Sequence, residues 1–436
     1  MAPASKPATR FRTAQADRPW PIGVANCLLG WTRGFVPFDA ATLIARGVRA
    51  VPGSQPGDLA FQTELKTLCT AIRSEANLSF AGHIAARDDT ARLVRTHLRV
   101  QRALAEHALP TALPPIFIVG WPRSGTSHLL GLLAQDPAHR SLRYYESFDP
   151  APAGGPPEPD GADPRIARLG RLLRGLDWLS PHYQSIHAME PDDPEECVAL
   201  FMNAFRTLQF EIQYRVPSYT AHLLRTSPRA AYTFYRDQLR LVQAATPSGE
   251  RWILKDPTHL FALDVIADLF PDARIVHIHR DPVTALGSIC SLYAHTRALF
   301  SDDVDPTLLG PEVLGSFWAD GLERSRTFRH AHPSIPVADV RYDDLVRDPL
   351  ATLTTLYADL GLTLTEPARA AMVRYLGQHP QHPTRVHRYS LAQFGLRPDA
   401  IRERFTDYRQ RFAFTEASEN SPTTTGRLTD ENGDVR

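Results

Sequence analysis

Apolar positions along the chain divide it into a helical first part and a second part in which strands alternate with helices. Within residues 40–110, apolar side chains recur at helical spacing, as at Leu65, Leu68 and Ile72. The first clear strand signal is the β-branched run Ile116–Gly120, which has Pro before it and Gly-Trp-Pro around its end. A short apolar run with such boundaries is typical of a buried parallel strand.

The second part reads as a regular succession of predicted elements. These are a strand at 116–120, helices at 126–135, 194–211 and 229–245, a strand at 251–254, a helix at 259–270, a strand at 274–279, a helix at 282–299 and a strand at 335–341. Strands that alternate with helices in this way predict an α/β fold with a mainly parallel sheet flanked by helices. We expect a disordered N-terminus at 1–20, a helical N-terminal extension at 21–110, an α/β domain at 111–415 and a disordered tail at 416–436.

Composition narrows the function classes without naming one. The chain has 48 basic and 48 acidic residues, so no bulk attraction to nucleic acid or to an anionic membrane is implied, and any anion site must be local. Four widely spaced cysteines suggest neither a metal site nor a disulfide framework. The first twenty residues lack a signal-peptide apolar stretch, and no run predicts a transmembrane segment, so we expect a cytoplasmic protein.

The segment Gly120-Trp-Pro-Arg-Ser-Gly-Thr-Ser127 lies between a predicted strand and a predicted helix. Its glycines allow tight folding around an anion, and the helix N-terminus directs N–H groups toward it. The spacing is that of a nucleotide-binding P-loop, but Thr126 stands where the P-loop lysine should be, and Arg123 carries the charge instead. The alternative is a glycine-rich turn without a ligand.

A second candidate anion site follows the strand at 274–279. Arg280 leaves the end of that strand, and Ser288 comes eight residues later, about two helical turns on. Open α/β sheets bind ligands at this edge, and a guanidinium can hold a phosphate bidentately. The HRD triplet here is similar to a kinase catalytic loop, but Leu286 replaces the required asparagine. The alternative is a surface ion pair between Arg280 and Asp281.

Together, the PRSGTS loop and the Arg-x7-Ser pattern resemble the two signatures by which sulfotransferases bind 3'-phosphoadenosine 5'-phosphosulfate (PAPS). The resemblance covers residues 110–410 and is strongest to the bacterial subgroup related to tyrosylprotein sulfotransferases, with similar segments at 193–196, 252–259 and 389–395. It implies a P-loop NTPase-like fold and PAPS as the donor cosubstrate. The residues it assigns are Arg123, Ser124, Gly125, Thr126 and Ser127 to the 5'-phosphosulfate, and Arg280 and Ser288 to the 3'-phosphate.

Sulfuryl transfer needs a cation on the bridging oxygen and a base for the acceptor hydroxyl. Lys255, one of only three lysines, follows the strand at 251–254 and matches a lysine of the related enzymes. Glu146 lies 21 residues past Gly125, a place comparable to that of the catalytic glutamate of tyrosylprotein sulfotransferases. Lys255 and Glu146 are therefore the predicted catalytic pair. Other candidates for the base are Glu195, Glu196, His182 and His187.

Three points complete the prediction. A sulfuryl group carries less charge than a phosphoryl group, so no metal is expected, and no metal-binding Asp pattern is present. One remaining alternative is a P-loop nucleotide kinase or NTPase, which would need a lysine in place of Thr126. The other is a non-catalytic protein that binds 3'-phosphoadenosine 5'-phosphate (PAP), the product of sulfuryl transfer from PAPS. The acceptor is expected to be a small molecule or a lipid, and nucleic acid is not expected as a partner.

Overall fold

The computed structural model describes residues 18–54, 59–152, 162–180, 189–379 and 390–414. Its centre is a five-stranded sheet with the strand order β2-β3-β1-β4-β5, in which every neighbouring pair is parallel. The strands are β1 (Pro115–Val119), β2 (His139–Ser141), β3 (Arg251–Lys255), β4 (Arg274–His279) and β5 (Val337–Arg341). The predicted α/β fold with a mainly parallel sheet is confirmed.

Alternate side chains of the strands enter two separate apolar cores. Ile116 and Ile118 of β1 pack in one core, together with Leu129 and Leu133 of the following helix. Phe117 of the same strand packs in the other core, on the opposite face. Because a strand turns successive side chains to opposite faces, this pattern requires helices on both sides of the sheet.

Four helices precede the sheet: α1 (Trp20–Leu29), α2 (Ala40–Ala50), α3 (Leu59–Glu75) and α4 (Phe80–Glu106). They do not form a core of their own, since Leu65 and Leu98 belong to the same apolar cluster as Phe117 and Phe205 of the α/β part. The predicted helical extension is therefore present and packs directly on the α/β domain. The exact domain limits stay predictions.

The remaining helices surround the sheet. They are α5 (Thr126–Leu133), α6 (Tyr144–Phe148), α7 (Pro164–Leu179), α8 (Val198–Met202), α9 (Gln209–Tyr214), α10 (Pro217–Arg225), α11 (Arg229–Ala245), α12 (Leu263–Leu269), α13 (Pro282–Ala298), α14 (Pro306–Leu314), α15 (Trp318–Ala331), α16 (Tyr342–Arg347), α17 (Pro349–Asp359), α18 (Glu366–Gln378), α19 (Pro398–Arg404) and α20 (Thr406–Arg411). None of the helices in the described part of the chain has the length and apolarity needed to cross a membrane.

Three local predictions differ from the structure. The predicted helix at 194–211 is interrupted between α8 and α9, because Phe205 has a φ of 53°, which a right-handed helix does not allow. The predicted helix at 259–270 starts as a short 3-10 helix, Pro257–Phe261, before α12. Strand β2 was not predicted, since His-Arg-Ser has no apolar run by which a strand could be recognised.

Candidate active site

The candidate active site lies at the carboxyl edge of the sheet. Parallel strands end at the same edge, and the register pairs Ile118 near the end of β1 with Lys255 at the end of β3. On the other side of β1, strand β4 ends just before Arg280. We call the segment 120–127 after β1 the phosphate loop. It is therefore flanked by Lys255 on one side and Arg280 on the other.

The phosphate loop depends on its glycines. Gly120 and Gly125 have φ values of 148° and 93°, which favour glycine, and Gly125 leads directly into α5. A Cβ at Gly125 would overlap the ring of Tyr342, and one at Gly120 would approach the carbonyl of Ile278. Arg123 also has a positive φ, 66°, an uncommon conformation for a residue with a side chain. The positive φ values and the close neighbours thus restrict this loop to a narrow set of residues and backbone conformations.

The two predicted anion sites are brought together. The Arg123 Nε donates to Ser288 Oγ at 3.1 Å, and Arg280 Nη1 donates to the carbonyl of Arg123 at 2.7 Å. The Arg280 guanidinium also lies over the ring of Tyr342, 4.1 Å from its centroid. Two guanidinium groups and a hydroxyl therefore converge beside the loop and concentrate positive charge there, in a chain of zero formal net charge.

Asp281, which the sequence analysis considered as a surface ion-pair partner of Arg280, is buried and is engaged by other groups of the described chain. Its carboxylate caps α13 by accepting from the N–H of Val283, and it also accepts from Arg409 Nη1 at 2.9 Å. Both Asp281 and Arg409 are buried. The negative charge next to Arg280 is thus engaged by an arginine of α20.

Lys255 connects the phosphate loop to a carboxylate. Its Nζ donates to Ser127 Oγ at 3.3 Å and forms an ion pair with Glu196 Oε1. The Lys255 side chain is only 3% exposed and that of Glu196 19%. A buried ammonium with a carboxylate partner beside an anion cradle is an arrangement suited to proton transfer and to stabilisation of a departing oxygen.

Backbone hydrogen bonds explain why Glu196 lies beside Lys255. The N–H of Glu195 donates to the carbonyl of Leu142 just after β2, and the N–H of Cys197 donates to the carbonyl of Lys255. The segment carrying both glutamates is thereby attached to the carboxyl ends of two adjacent strands. The Glu195 side chain accepts from the N–H of Glu196 at 2.8 Å.

Glu146, the predicted base, is placed elsewhere. Its carboxylate is 1% exposed and accepts from Arg140 at 2.8 Å and 3.3 Å. It also accepts from the N–H of Arg143 at the start of α6. Arg140 in turn lies over the ring of Trp252. Glu146 therefore joins β2 to α6 in a buried ion pair, and it does not line the pocket described below.

Two further titratable groups next to Lys255 are altered by burial. Burial, together with a smaller effect of the nearby Glu196 carboxylate, raises the pKa of Asp256 to about 7. Burial lowers the pKa of His259 to about 3, with a smaller contribution from Lys255. His259 contacts Tyr232, whose hydroxyl lies 2.8 Å from its Nδ1, and Phe117. It is a neutral core side chain.

The histidines that could act as the base also differ between the sequence analysis and the structure. His182 and His187 lie outside the described residues. His128, which the sequence analysis did not consider, lines the pocket and has a pKa lowered by burial. Its position directly after Ser127 of the phosphate loop was the one signal that could have identified it.

A pocket of about 490 Å³ opens at this edge of the sheet. Its polar side is formed by the loop, Lys255, Glu195, Glu196 and Arg280. Its apolar lining includes Tyr144, Phe148, Leu176, Met189, Val198, Met202, Ile212, Leu292, Leu299, Phe300 and Trp318. Polar side chains also line it, namely Asp89, Arg92, Gln209, Gln213 and Thr296. The pocket thus offers charged and hydroxyl groups to an anion and a substantial apolar surface to a second group.

One group of possible metal ligands occurs in the described part of the chain, and it lies away from this pocket. His277, His279 and Asp339 offer ligand atoms within 4.8 Å of one another on β4 and β5. Arg329 forms an ion pair with Asp339, so a cation there would compete with a guanidinium. The group is not part of the pocket lining.

Comparison with known proteins identifies the family. Residues 114–366, more than half of the chain, match the sequence model of the sulfotransferase family. The chain belongs to the sulfotransferase family. The curated relatives include the omega-hydroxy-beta-dihydromenaquinone-9 sulfotransferase Stf3 of Mycobacterium bovis and that of Mycobacterium tuberculosis. Each is 29% identical over 298 residues, which are 67% of this chain and 74% of the relative.

Solved sulfotransferase structures agree with this. The crystal structure of STF1 from Mycobacterium tuberculosis is 30% identical, covers 85% of this chain and 100% of its own, and superposes with a TM-score of 0.68. That of STF9 from Mycobacterium avium superposes with a TM-score of 0.76 at 23% identity, over 86% of this chain and 97% of its own. The predicted enzyme class, a sulfotransferase, is confirmed. The relation to tyrosylprotein sulfotransferases stays a prediction.

Proposed function

We propose that this sulfotransferase transfers the sulfuryl group of PAPS to the hydroxyl of an apolar acceptor and releases PAP. The observation that carries the proposal is the ion pair of Lys255 with Glu196, which lies against Ser127 of the phosphate loop. It brings a cation and a carboxylate to one point between the anion cradle and the apolar lining of the pocket.

The donor assignment is supported by two adjacent anion sites. The loop from Arg123 to Ser127 offers a glycine-rich backbone and hydroxyls for a 5'-phosphosulfate. Arg280 and Ser288 lie on the other side of Arg123 and suit a 3'-phosphate. A nucleoside triphosphate fits these residues less well, because Thr126 occupies the place of the P-loop lysine.

Each side chain has a separate role in this proposal. When PAPS is bound, it supplies the sulfuryl group, whose bond to the 5'-phosphate oxygen breaks as the acceptor oxygen bonds to sulfur. Lys255 has three N–H donors, so it can hold Ser127 and Glu196 and still donate to the bridging oxygen. Glu196 takes the proton of the acceptor hydroxyl. We therefore assign the base to Glu196 rather than to Glu146, whose carboxylate is held by Arg140.

We infer the acceptor class from the side chains that line the pocket. Its apolar lining is formed by side chains such as Phe148, Met189 and Phe300. The relative Stf3 is named as an omega-hydroxy-beta-dihydromenaquinone-9 sulfotransferase, that is, for a hydroxylated menaquinone. We propose a hydroxyl-bearing lipid or a similarly apolar small molecule for this chain as well.

Ligand binding without metal tests the donor assignment. We expect PAP to raise the melting temperature in the presence of EDTA, and ATP or GTP to raise it much less. The physical reason is that only PAP occupies both anion sites. A melting temperature that rises only with ATP and Mg²⁺ would contradict PAPS as the donor.

Product identification tests the reaction. The enzyme is incubated with PAPS carrying labelled sulfur and with fractionated extracts, and the labelled products are separated between water and organic solvent. We expect the label in an amphipathic product with a sulfate ester. Label that is confined to small polar products would overturn the proposed acceptor class while leaving the donor assignment intact.

A further inference from the structure

The N-terminal helix α1 presents an apolar face to solvent. Trp20, Val24 and Leu28 follow one another at four-residue spacing, so they share one side of the helix, and their exposed fractions are 78%, 45% and 65%. The short 3-10 helix Gly30–Phe35 adds Trp31 and Phe35, which are 76% and 78% exposed. Most exposed large apolar side chains in the described residues belong to this segment.

We call Trp20, Val24, Leu28, Trp31 and Phe35 the N-terminal apolar patch. The Trp31 and Phe35 rings contact each other edge to face, with centroids 6.2 Å apart. No residue of α1 is buried, so burial within the protein does not explain its apolar sequence. Exposed apolar surface of this kind marks a site of interaction with another molecule or with a membrane.

The charge of the N-terminal sequence favours a membrane as the partner of this patch. The first 17 residues contain three basic residues and one acidic residue, whereas the whole chain is balanced at 48 of each. The next two basic residues, Arg18 and Arg33, are already engaged by Asp302 and by the carbonyl of Leu78. Tryptophan and phenylalanine next to basic residues are typical of segments that lie in the interface of an anionic membrane. Helix α1 has 10 residues and a length of about 15 Å, too short to cross a bilayer.

Helix α1 is attached to the chain segment that follows two pocket-lining residues. Arg18, at the start of this segment, forms an ion pair with Asp302 and donates to the carbonyl of Ser301 at 3.4 Å. Asn26 of α1 also donates to Asp302, at 3.2 Å. The two residues just before Ser301, Leu299 and Phe300, line the pocket. Helix α1 is thus fixed to the same chain segment that forms part of the acceptor side.

We propose that the N-terminal apolar patch lies in the interface of an anionic membrane and holds the pocket next to the lipid phase. The acceptor then reaches its site from the bilayer without crossing water. This role for the acceptor rests on the proposed function, whereas the membrane contact itself does not. Free transfer of an apolar acceptor through water is slow and unfavourable, and a membrane contact beside the pocket removes that step.

Vesicle binding of the full chain tests the proposal. The protein is co-sedimented with vesicles of equal parts phosphatidylglycerol and phosphatidylcholine, and with vesicles of phosphatidylcholine alone. The test variant combines Trp20→Ser, Trp31→Ser and Phe35→Ser. The matched control is Leu308→Ser, which removes an apolar side chain that is 66% exposed on α14. The PAP-induced rise in melting temperature is measured for each variant to show that the active-site fold is intact.

We expect the wild type and the Leu308→Ser control to bind the anionic vesicles, and the triple variant to bind at least about tenfold more weakly. Emission of the native tryptophans should shift to shorter wavelength with vesicles only where Trp20 and Trp31 are present. The proposal is overturned if the wild type does not bind the vesicles, if the triple variant binds as well as the wild type, or if the wild type is a dimer that the triple variant dissociates. The last result would show that a second copy covers the patch. Failure of PAP to stabilise the wild type would instead contradict the proposed function.

Discussion

The ammonium of Lys255 and the carboxylate of Glu196 form an ion pair at the mouth of the phosphate loop. A backbone hydrogen bond also joins the two segments, because Cys197, the residue after Glu196, donates its N–H to the carbonyl of Lys255. Asp256 is the other carboxyl group next to this lysine, and burial raises its pKa to about 7. Glu196 is the carboxylate that forms the ion pair with Lys255, and on this geometry we propose it as the counter-ion and, once substrate separates the pair, as the base.

The first prediction concerns this glutamate. Glu196→Gln keeps the size of the side chain and removes its basicity, so turnover should fall by about 10²–10⁴-fold, the usual contribution of a general base. Binding of PAP should change little, since the amide still accepts a hydrogen bond from Lys255. Steady-state kinetics and PAP titration measure the two effects.

Glu195→Gln is the matched control for this prediction. The two glutamates are adjacent and both line the pocket, but only Glu196 is paired with Lys255. We expect the control to retain most of its turnover. If Glu195→Gln or His128→Asn loses activity while Glu196→Gln does not, the base is one of those residues instead.

The second prediction separates Glu146 from catalysis. Its carboxylate and the Arg140 guanidinium are both buried, with side chains 1% and 4% exposed. Removing one partner leaves the other charge buried and unpaired, so Glu146→Ala should lower the free energy of unfolding by about 3–5 kcal/mol. Urea unfolding measures this loss.

The double variant Arg140→Met with Glu146→Met supplies the control. It replaces both charges by apolar side chains and should be less destabilised than Glu146→Ala, since no buried charge is left unpaired. Folded Glu146→Ala protein with a normal stability and strongly reduced turnover would argue for the original assignment of Glu146 as the base.

The third prediction concerns recognition of the 3'-phosphate. Arg280→Ala removes a charged hydrogen-bond donor, which is worth about 1.5–3 kcal/mol, so PAP should bind about 10–150-fold more weakly. Adenosine 5'-phosphate lacks the 3'-phosphate and should bind the variant and the wild type nearly equally. Calorimetric titration of both ligands distinguishes the two cases. Equal losses would mean that Arg280 acts on the loop, through the carbonyl of Arg123, rather than on the 3'-phosphate.

The sequence was sufficient for those features that depend on local pattern. Strand β1, the phosphate loop and Lys255 are all encoded within a few consecutive residues, and the order of parallel strands brings them to one edge. The contact between Arg123 and Ser288 was not predicted, since 165 residues separate them and the family resemblance assigned them to different phosphate groups.

The choice among carboxylates could not be made from the sequence. Glu146 and Glu196 both follow plausible patterns, and what separates them is the partner that each meets in the fold. Glu146 meets Arg140 of the unpredicted strand β2, and Glu196 is brought to Lys255 by backbone bonds. The shared core of the N-terminal helices was hidden for the same reason, because periodicity shows which face is apolar and not what covers it.

The last prediction is a pH dependence of stability that arises from His259. Burial lowers the pKa of His259 from 6.5 to about 3, so the folded protein keeps this side chain neutral. As the pH falls below about 6.5, His259 takes up a proton in the unfolded chain but not in the folded protein. The contribution of His259 to stability is therefore complete above that pH and is lost as the pH falls toward 3. Within this window each such group changes the free energy of unfolding by about 1.4 kcal/mol per pH unit.

We therefore expect the variant His259→Asn to show a smaller slope of the free energy of unfolding against pH than the wild type, by about this amount. The side-chain oxygen of the asparagine can still accept from Tyr232. Urea unfolding at several pH values between about 4 and 6 measures both slopes, and every other titrating group contributes equally to the two proteins. Parallel slopes would show that His259 takes up its proton in the folded state, which would require water or a carboxylate at the buried ring.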